Sequence, residues 1–222
     1  MRFQDAARDA RAVVYAGIQA DPLVARVASP LADATSAERW LARAVMNGER
    51  TDPDRWRRMF PTLFGASATA EIRHHAEQLL TACLEVANRG EQARSSYRGA
   101  VVEELTARLL ARRSAPVRRE RRVLFDGVPA EIHPYDVTVE ADGRPEVYDC
   151  KWGARGINAD VLNQLDDARA HAAEEEVALR VAIVVFDARR SCELRLARAT
   201  ARHDATGLVA LEGIDRLSEG GR

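Results

Sequence analysis

The run Arg180-Val181-Ala182-Ile183-Val184-Val185-Phe186 leaves this chain few ways to fold. It is far shorter than the roughly 20 apolar residues that cross a bilayer. It has no polar alternation, so it does not suit a strand with one wet face. It reads as a buried central strand with cover on both sides. Such a strand needs neighbours and covering helices, and the sequence predicts both. A helix is expected from about Ala159 to Glu175. Two extended runs precede it, at 131–140 and 145–152. They are joined by Glu140-Ala141-Asp142-Gly143-Arg144, whose Asp-Gly is a hairpin signal. Arg121–Phe125 reads as an earlier strand ending in a turn at Asp126-Gly127. Toward the end, Cys192–Leu196 reads as an edge strand, Gly207–Leu211 as a weaker strand and Ile214–Leu217 as a short helix. A helix over 95–113, with Val101, Val102, Leu105 and Leu109 on its apolar side, comes before the first strand and stops ahead of Pro116. Helix, three strands, helix, strand is an α/β order with mixed strand directions.

The first 90 or so residues carry no strand signal. Residues 3–20 are alanine-rich and end at Asp21-Pro22; they read as a helix. Thr35 and Glu38 have capping-box spacing ahead of Trp40, Leu41, Val45 and Met46. Pro53 opens a short arginine-rich helix. A longer one spans about Ser67 to Asn88, with Ile72, Ala76, Leu79, Cys83 and Val86 as its stripe and Gly90 as its stop. His74 and His75 are adjacent in that helix and point to different faces, a poor arrangement for metal binding. The division expected is a helical region over 1–92, which would recognise substrate or a partner protein, and an α/β domain over 93–222.

Composition excludes several classes. Cys83, Cys150 and Cys192 are odd in number and widely spaced, which argues against a disulfide framework, a zinc knuckle or an iron–sulfur cluster within one chain. The opening Met1-Arg2-Phe3-Gln4-Asp5 lacks the apolar core of a signal peptide, and no run is long enough to span a membrane, so a cytoplasmic protein is expected. Net charge is −1, yet seven arginines (108, 112, 113, 118, 119, 121, 122) crowd one segment. They are either a solvated helix end and loop or a surface for phosphates. Lys and Arg total 33, and Lys151 is the sole lysine. A chain that uses arginine for every other positive charge has a reason to use lysine once. Lysine is a compact ammonium, arginine a rigid fork.

The surroundings of that lysine sharpen the reason. In Val147-Tyr148-Asp149-Cys150-Lys151-Trp152, alternation puts Asp149 and Lys151 on one face with Val147. An acid and a lysine two apart in an otherwise apolar strand work against its burial, and such conflicts mark functional sites. The hairpin brings Asp136, from Pro134-Tyr135-Asp136-Val137, beside Asp149. Two carboxylates that close repel unless a cation lies between them. Magnesium suits that place, because it takes oxygen ligands and commonly uses one or two protein carboxylates plus substrate phosphate. Manganese would substitute. The bland readings are a strand-end turn acid for Asp136 and an exposed ion pair for Asp149 and Lys151.

Asp136, then after twelve intervening residues Asp149-Cys150-Lys151, resembles the acid and acid-x-lysine signature of the PD-(D/E)xK nuclease superfamily, the restriction-endonuclease-like fold. The resemblance covers about residues 95–212. It implies a restriction-endonuclease-like mixed β-sheet flanked by helices, with a further metal-binding acid on the first helix. Gly99 and Glu103 have the spacing of that acid, so Glu103 is favoured over the adjacent Glu104. It also implies a glutamine on the second helix, where Gln164 stands. Three features depart from the pattern. Tyr135 separates Pro134 from Asp136, Asp149 replaces the commoner glutamate, and Ala168 stands where one repair branch has tyrosine after its glutamine.

The resemblance implies a Mg²⁺-dependent phosphodiesterase, an endonuclease rather than an exonuclease, with DNA favoured over RNA. Asp136, Asp149 and Glu103 would bind the metal; Lys151 and Gln164 would complete the catalytic set. Arg112, Arg113, Arg118 and Arg119 would hold phosphate backbone without reading sequence, and Arg155 is either a further phosphate contact or, as its place in the Gly153–Gly156 turn favours, a plain loop arginine. Bacterial defence, restriction or repair is the expected setting. A homodimer would let single sites cut both strands. The alternative is a non-catalytic scaffold or nucleic-acid-binding subunit of the same fold.

Overall fold

The computed structural model describes residues 1–7, 10–48, 52–129, 133–141, 143–199 and 207–219. Two compact units emerge, Ala10–Leu105 and Met1–Asp9 together with Thr106–Arg222.

The first unit is helical: α1 (Ala10–Gln19), α2 (Pro22–Asp33), α3 (Ser36–Asn47), α4 (Pro53–Met59), α5 (Pro61–Phe64), α6 (Ala70–Ala87) and most of α7 (Glu91–Ala111). Local chemistry sets the starts. Asp21 accepts from Leu23 N at 2.8 Å, with Pro22 opening α2. The expected capping box forms, Glu38 N donating to Thr35 Oγ1 at 3.3 Å and Thr35 N to Glu38 Oε2 at 2.7 Å. Thr69 caps α6 through Ile72 N at 3.2 Å. Leu31, Leu41, Val45, Leu79 and Val86 are buried within it.

The second unit holds a sheet and its covering helices. The strands are β1 (Arg2–Asp5), β2 (Val117–Phe125), β3 (Val128–Pro129), β4 (Tyr135–Val139), β5 (Glu146–Lys151), β6 (Arg180–Val185) and β7 (Leu208–Ala210); the remaining helices are α8 (Ala159–Glu174) and α9 (Arg189–Ala199). The sheet has seven strands among the described residues, ordered β1-β2-β4-β5-β6-β7, with β3 beside β2. Pairing is antiparallel from β1 to β5 and parallel from β5 to β7. The chain is thus an α/β protein with a mixed sheet. Asp126 and Gly127, at φ of +49° and +82°, make the tight turn that returns β2 to β3.

β6 is the central strand that the apolar run requires, and Val181 to Val185 are all buried. Val181, Ile183 and Val185 pack with Val147 of β5 and with Leu162 and Leu165 of α8 in one core cluster. Each such side chain stabilises the fold by about 1.5–3 kcal/mol.

Several expectations are corrected. Residues 3–5, read as the start of a helix, lie in an edge strand on β2, Arg2–Asp5, with Phe3 opposite Val123. This short polar segment has no alternation of its own, and the backbone of β2 supplies its partner. Cys192–Leu196, read as a strand, lies inside α9. Cys-Glu-Leu-Arg-Leu fits a period of two, but Cys192 and Leu196 are buried four apart while Leu194 is exposed, which is helical spacing. β2 begins at Val117 rather than Arg121, and α7 begins at Glu91. Ile214–Leu217 belongs to a 3₁₀ turn over Leu211–Leu217. Part of the run 131–140, Glu131 and Ile132, and Asp142 of the hairpin lie outside the described residues.

Candidate active site

The β4–β5 ladder pairs Val137 with Tyr148 and Thr138 with Val147. One step further in the same register brings Asp136 opposite Asp149. There the Cys150 N–H donates to a side chain, Asp136 Oδ2, at 2.6 Å. The carboxylate of Asp136 therefore closes the end of the ladder and is fixed by it. Lys151 Nζ donates to Asp149 Oδ1 at 2.5 Å and lies 4.0 Å from Asp136 Oδ2. Two acids from adjoining strands thus converge on the sole lysine.

The alternation expected for β5 accounts for this. Val147, Asp149 and Lys151 stand opposite Val181, Ile183 and Val185 of β6, on the face that α8 covers. Cys150 faces the other way, its Sγ donating to Thr106 Oγ1 at 3.5 Å. Along β5 the apolar packing gives out toward the end of the strand. The side chains of Asp149, Asp136 and Lys151 keep 12%, 20% and 26% of their exposure, so the cluster is largely desolvated yet open at the rim. Burial alone would lower the pKa of Lys151. The charges of Asp149 and Asp136 outweigh it and raise the pKa above the ordinary lysine value. The ammonium stays protonated.

Gln164, on α8, is near the same strands. Its Nε2 donates to the His133 carbonyl at 3.1 Å, and its own carbonyl accepts from Tyr135 Oη at 3.4 Å. Both bonds hold the segment that leads into Asp136. Glu103 belongs to the helical unit. It is buried, and Tyr15 Oη and Gln19 Nε2 both donate to its carboxylate, the latter at 2.7 Å. A Cβ on Gly99 would come within 2.8 Å of Tyr15 Oη. The Gly99–Glu103 spacing therefore has a local packing reason, because glycine makes room for the tyrosine that reaches the acid.

The arginine-rich segment divides. Arg113 forks onto the buried Glu146 at 3.1 and 2.6 Å, so its guanidinium serves an internal ion pair. Arg121 binds Glu140 at 2.6 Å and also Asp5. Arg112, Arg118 and Arg155 are exposed and Arg119 is half-exposed. Asp187 escaped the sequence reading. It directly follows the apolar run 180–186, and its Oδ2 accepts from Ala154 N at 2.9 Å while Oδ1 accepts from Ala188 N at 2.8 Å. Its signal was in plain sight, an acid at the end of the most apolar strand.

Among the described residues no group of three or more His, Cys, Asp or Glu side chains is placed to hold a metal ion. Among the same residues no helix is long and apolar enough to cross a membrane. The chain matches no family model, no curated protein and no solved structure.

Proposed function

We propose that this chain is a metal-dependent nuclease of the PD-(D/E)xK type, with a restriction-endonuclease-like core, that hydrolyses phosphodiester bonds of DNA. One observation carries the reading: the only lysine of the chain is bonded to Asp149 and lies 4.0 Å from Asp136, at the rim of a packed sheet face. The order α7, β2, β4, β5, α8, β6 is the element order the resemblance implies and supports the finer fold assignment.

Asp136 and Asp149 fit a hard divalent cation in donor chemistry, since both offer only carboxylate oxygens. Two acids also suffice for Mg²⁺, which commonly completes its sphere with water and substrate phosphate. When bound there, the metal supplies Lewis-acid polarisation of the phosphate and lowers the pKa of water. Lys151 has a distinct part. A group held protonated is no general base. It serves as a donor that orients the attacking water or offsets charge growing on the scissile phosphate. Gln164 holds the approach to Asp136. Arg112, Arg118, Arg119 and Arg155 are the proposed phosphate contacts, in a manner blind to sequence. Defence, restriction or repair would employ such an enzyme, and the helical unit would recognise substrate or partner.

A second reading, a non-catalytic nucleic-acid-binding subunit, is favoured by one observation: the carboxylate of Glu103 is taken up by Tyr15 and Gln19. The experiment that separates the two is cleavage by folded variants. Asp136→Ala, Asp149→Ala and Lys151→Ala should each abolish Mg²⁺-dependent cleavage. Glu103→Ala decides whether that acid joins the metal site. Wild-type rates in the first three would defeat the nuclease reading.

A further inference from the structure

Lys151 ends β5, and its carbonyl accepts from Phe186 N at 2.9 Å. The chain then turns through Gly153 and a 3₁₀ segment, Ala154–Gly156, and comes back over the lysine stem. A Cβ built on Gly156 would lie 2.9 Å from both Cγ and Cδ of Lys151 and 3.0 Å from its Cβ, where 3.4–4 Å is ordinary contact. Gly156 is not in the left-handed region, so backbone freedom is not what requires glycine here. Space is. The obstructed atoms are the base and middle of the lysine chain, which cannot swing aside without moving the ammonium.

The turn is itself held at both ends. Asp187 Oδ2 accepts from Ala154 N at 2.9 Å. At the other end Ile157 is fully buried, and Arg195 Nε of α9 donates to its carbonyl at 3.0 Å. Between these anchors Gly156 N bonds Gly153 O at 2.9 Å. An acid, an arginine and a buried isoleucine are more restraint than a connecting turn needs.

We propose that residues 153–157 are a positioning element for Lys151. Gly156 is its point of contact, and Asp187 and Arg195 are the positioning residues that fix it. The turn presses the aliphatic stem so that Nζ is delivered to Asp149 and Asp136. The inference deepens the nuclease reading and rests on it only for the consequence to catalysis; the steric claim stands without it.

The sole lysine makes the test direct. Protein carrying ¹³C-lysine has one set of side-chain methylene signals. In the wild type the Lys151 Hε protons should be inequivalent, as in an immobilised chain. Gly156→Ala should move these signals. A Cβ at 2.9 Å must force a shift of at least about half an ångström. A 1 Å misplacement can cost about a hundredfold, so kcat should fall about tenfold with KM little changed. Asp187→Ala should move the same signals from the other end. Asp187→Asn, which keeps one of the two acceptor oxygens and can still take Ala154 N, should move them less than Asp187→Ala does. Circular dichroism and a cooperative melt establish that each variant is folded, and if Gly156→Ala is not, Asp187→Ala carries the test. Unmoved Lys151 signals in a folded Gly156→Ala or Asp187→Ala protein would overturn the inference. Moved signals in these variants, with a wild type that itself cleaves nothing, would uphold the positioning element and sink the nuclease reading instead.

Discussion

Replacing Lys151 by methionine keeps an unbranched stem against Gly156 and removes the ammonium, with its charge and its hydrogen bond to Asp149. Asp149 and Asp136 then face each other without the ammonium that lies 2.5 and 4.0 Å from their oxygens. The size of the loss follows from exposure. An ion pair in full solvent is worth about 0.2–1 kcal/mol. Stripping one partner from a fully buried pair costs about 3–5 kcal/mol. With 26% of the Lys151 side chain and 12% of Asp149 exposed, the site falls between these limits, and about 2 kcal/mol is expected. For a chain of this size that lowers Tm by about 4–8 °C. A double-mutant cycle separates the pair from the rest. Lys151→Met, Asp149→Asn and the double variant are unfolded in urea without added metal. The double variant should be less destabilised than the sum of the singles by about 2 kcal/mol, because Asp149→Asn removes the charge that Lys151→Met strands. Additivity to within about 0.5 kcal/mol would refute the pairing on which the site is built.

Lys151→Arg should lose cleavage while remaining folded, because a planar guanidinium cannot replace a compact ammonium that meets Asp149 at the end of a stem held against Gly156; full activity would remove the reasoning from the lone lysine. The Lys151 ¹³Cε signal should titrate above the ordinary value of 10.5, since two carboxylates outweigh burial. A folded-state pKa raised in this way contributes stability that is complete below 10.5 and is lost as pH rises through the folded value, so Lys151→Met should differ least from wild type at the most alkaline pH. Glu146→Ala strands Arg113 and Tyr148 and should cost about 3–5 kcal/mol in urea melts. Burial would raise the pKa of Glu146, but bonds from Arg113 and Tyr148 outweigh it and depress the pKa below 4.5. Its contribution is therefore present above pH 4.5 and lost as pH falls through the folded value, so the variant should lack part of the wild-type acid-unfolding limb.

Most of the sheet was legible because burial writes itself into strands. The run at 180–186 demands a covered central strand, and the alternation in 147–152 by itself places Asp149 and Lys151 on one face. The site was legible for the same reason, since charge in an apolar strand contradicts its setting. What the sequence hid depends on partners distant in the chain. β1 exists through the backbone of β2, more than 100 residues away, and leaves no pattern in Arg2–Asp5. Cys192–Leu196 satisfied two periods at once, and tertiary packing chose the helix. Arg113 looked like its neighbours in a basic cluster, and only the fold reveals Glu146 beneath it. Gly156 had no motif to announce it, because its work is steric and is done against a residue named for other reasons.

The most direct measurement is to incubate the purified chain with plasmid, linear duplex, single-stranded DNA and RNA in Mg²⁺, Mn²⁺ or EDTA, with Asp149→Ala alongside. Metal-dependent cleavage of DNA by the wild type, absent in EDTA and in the variant, is the expected result. Cleavage that persists in Asp149→Ala, or no cleavage of any substrate with either metal, would contradict a nuclease centred on Asp136, Asp149 and Lys151.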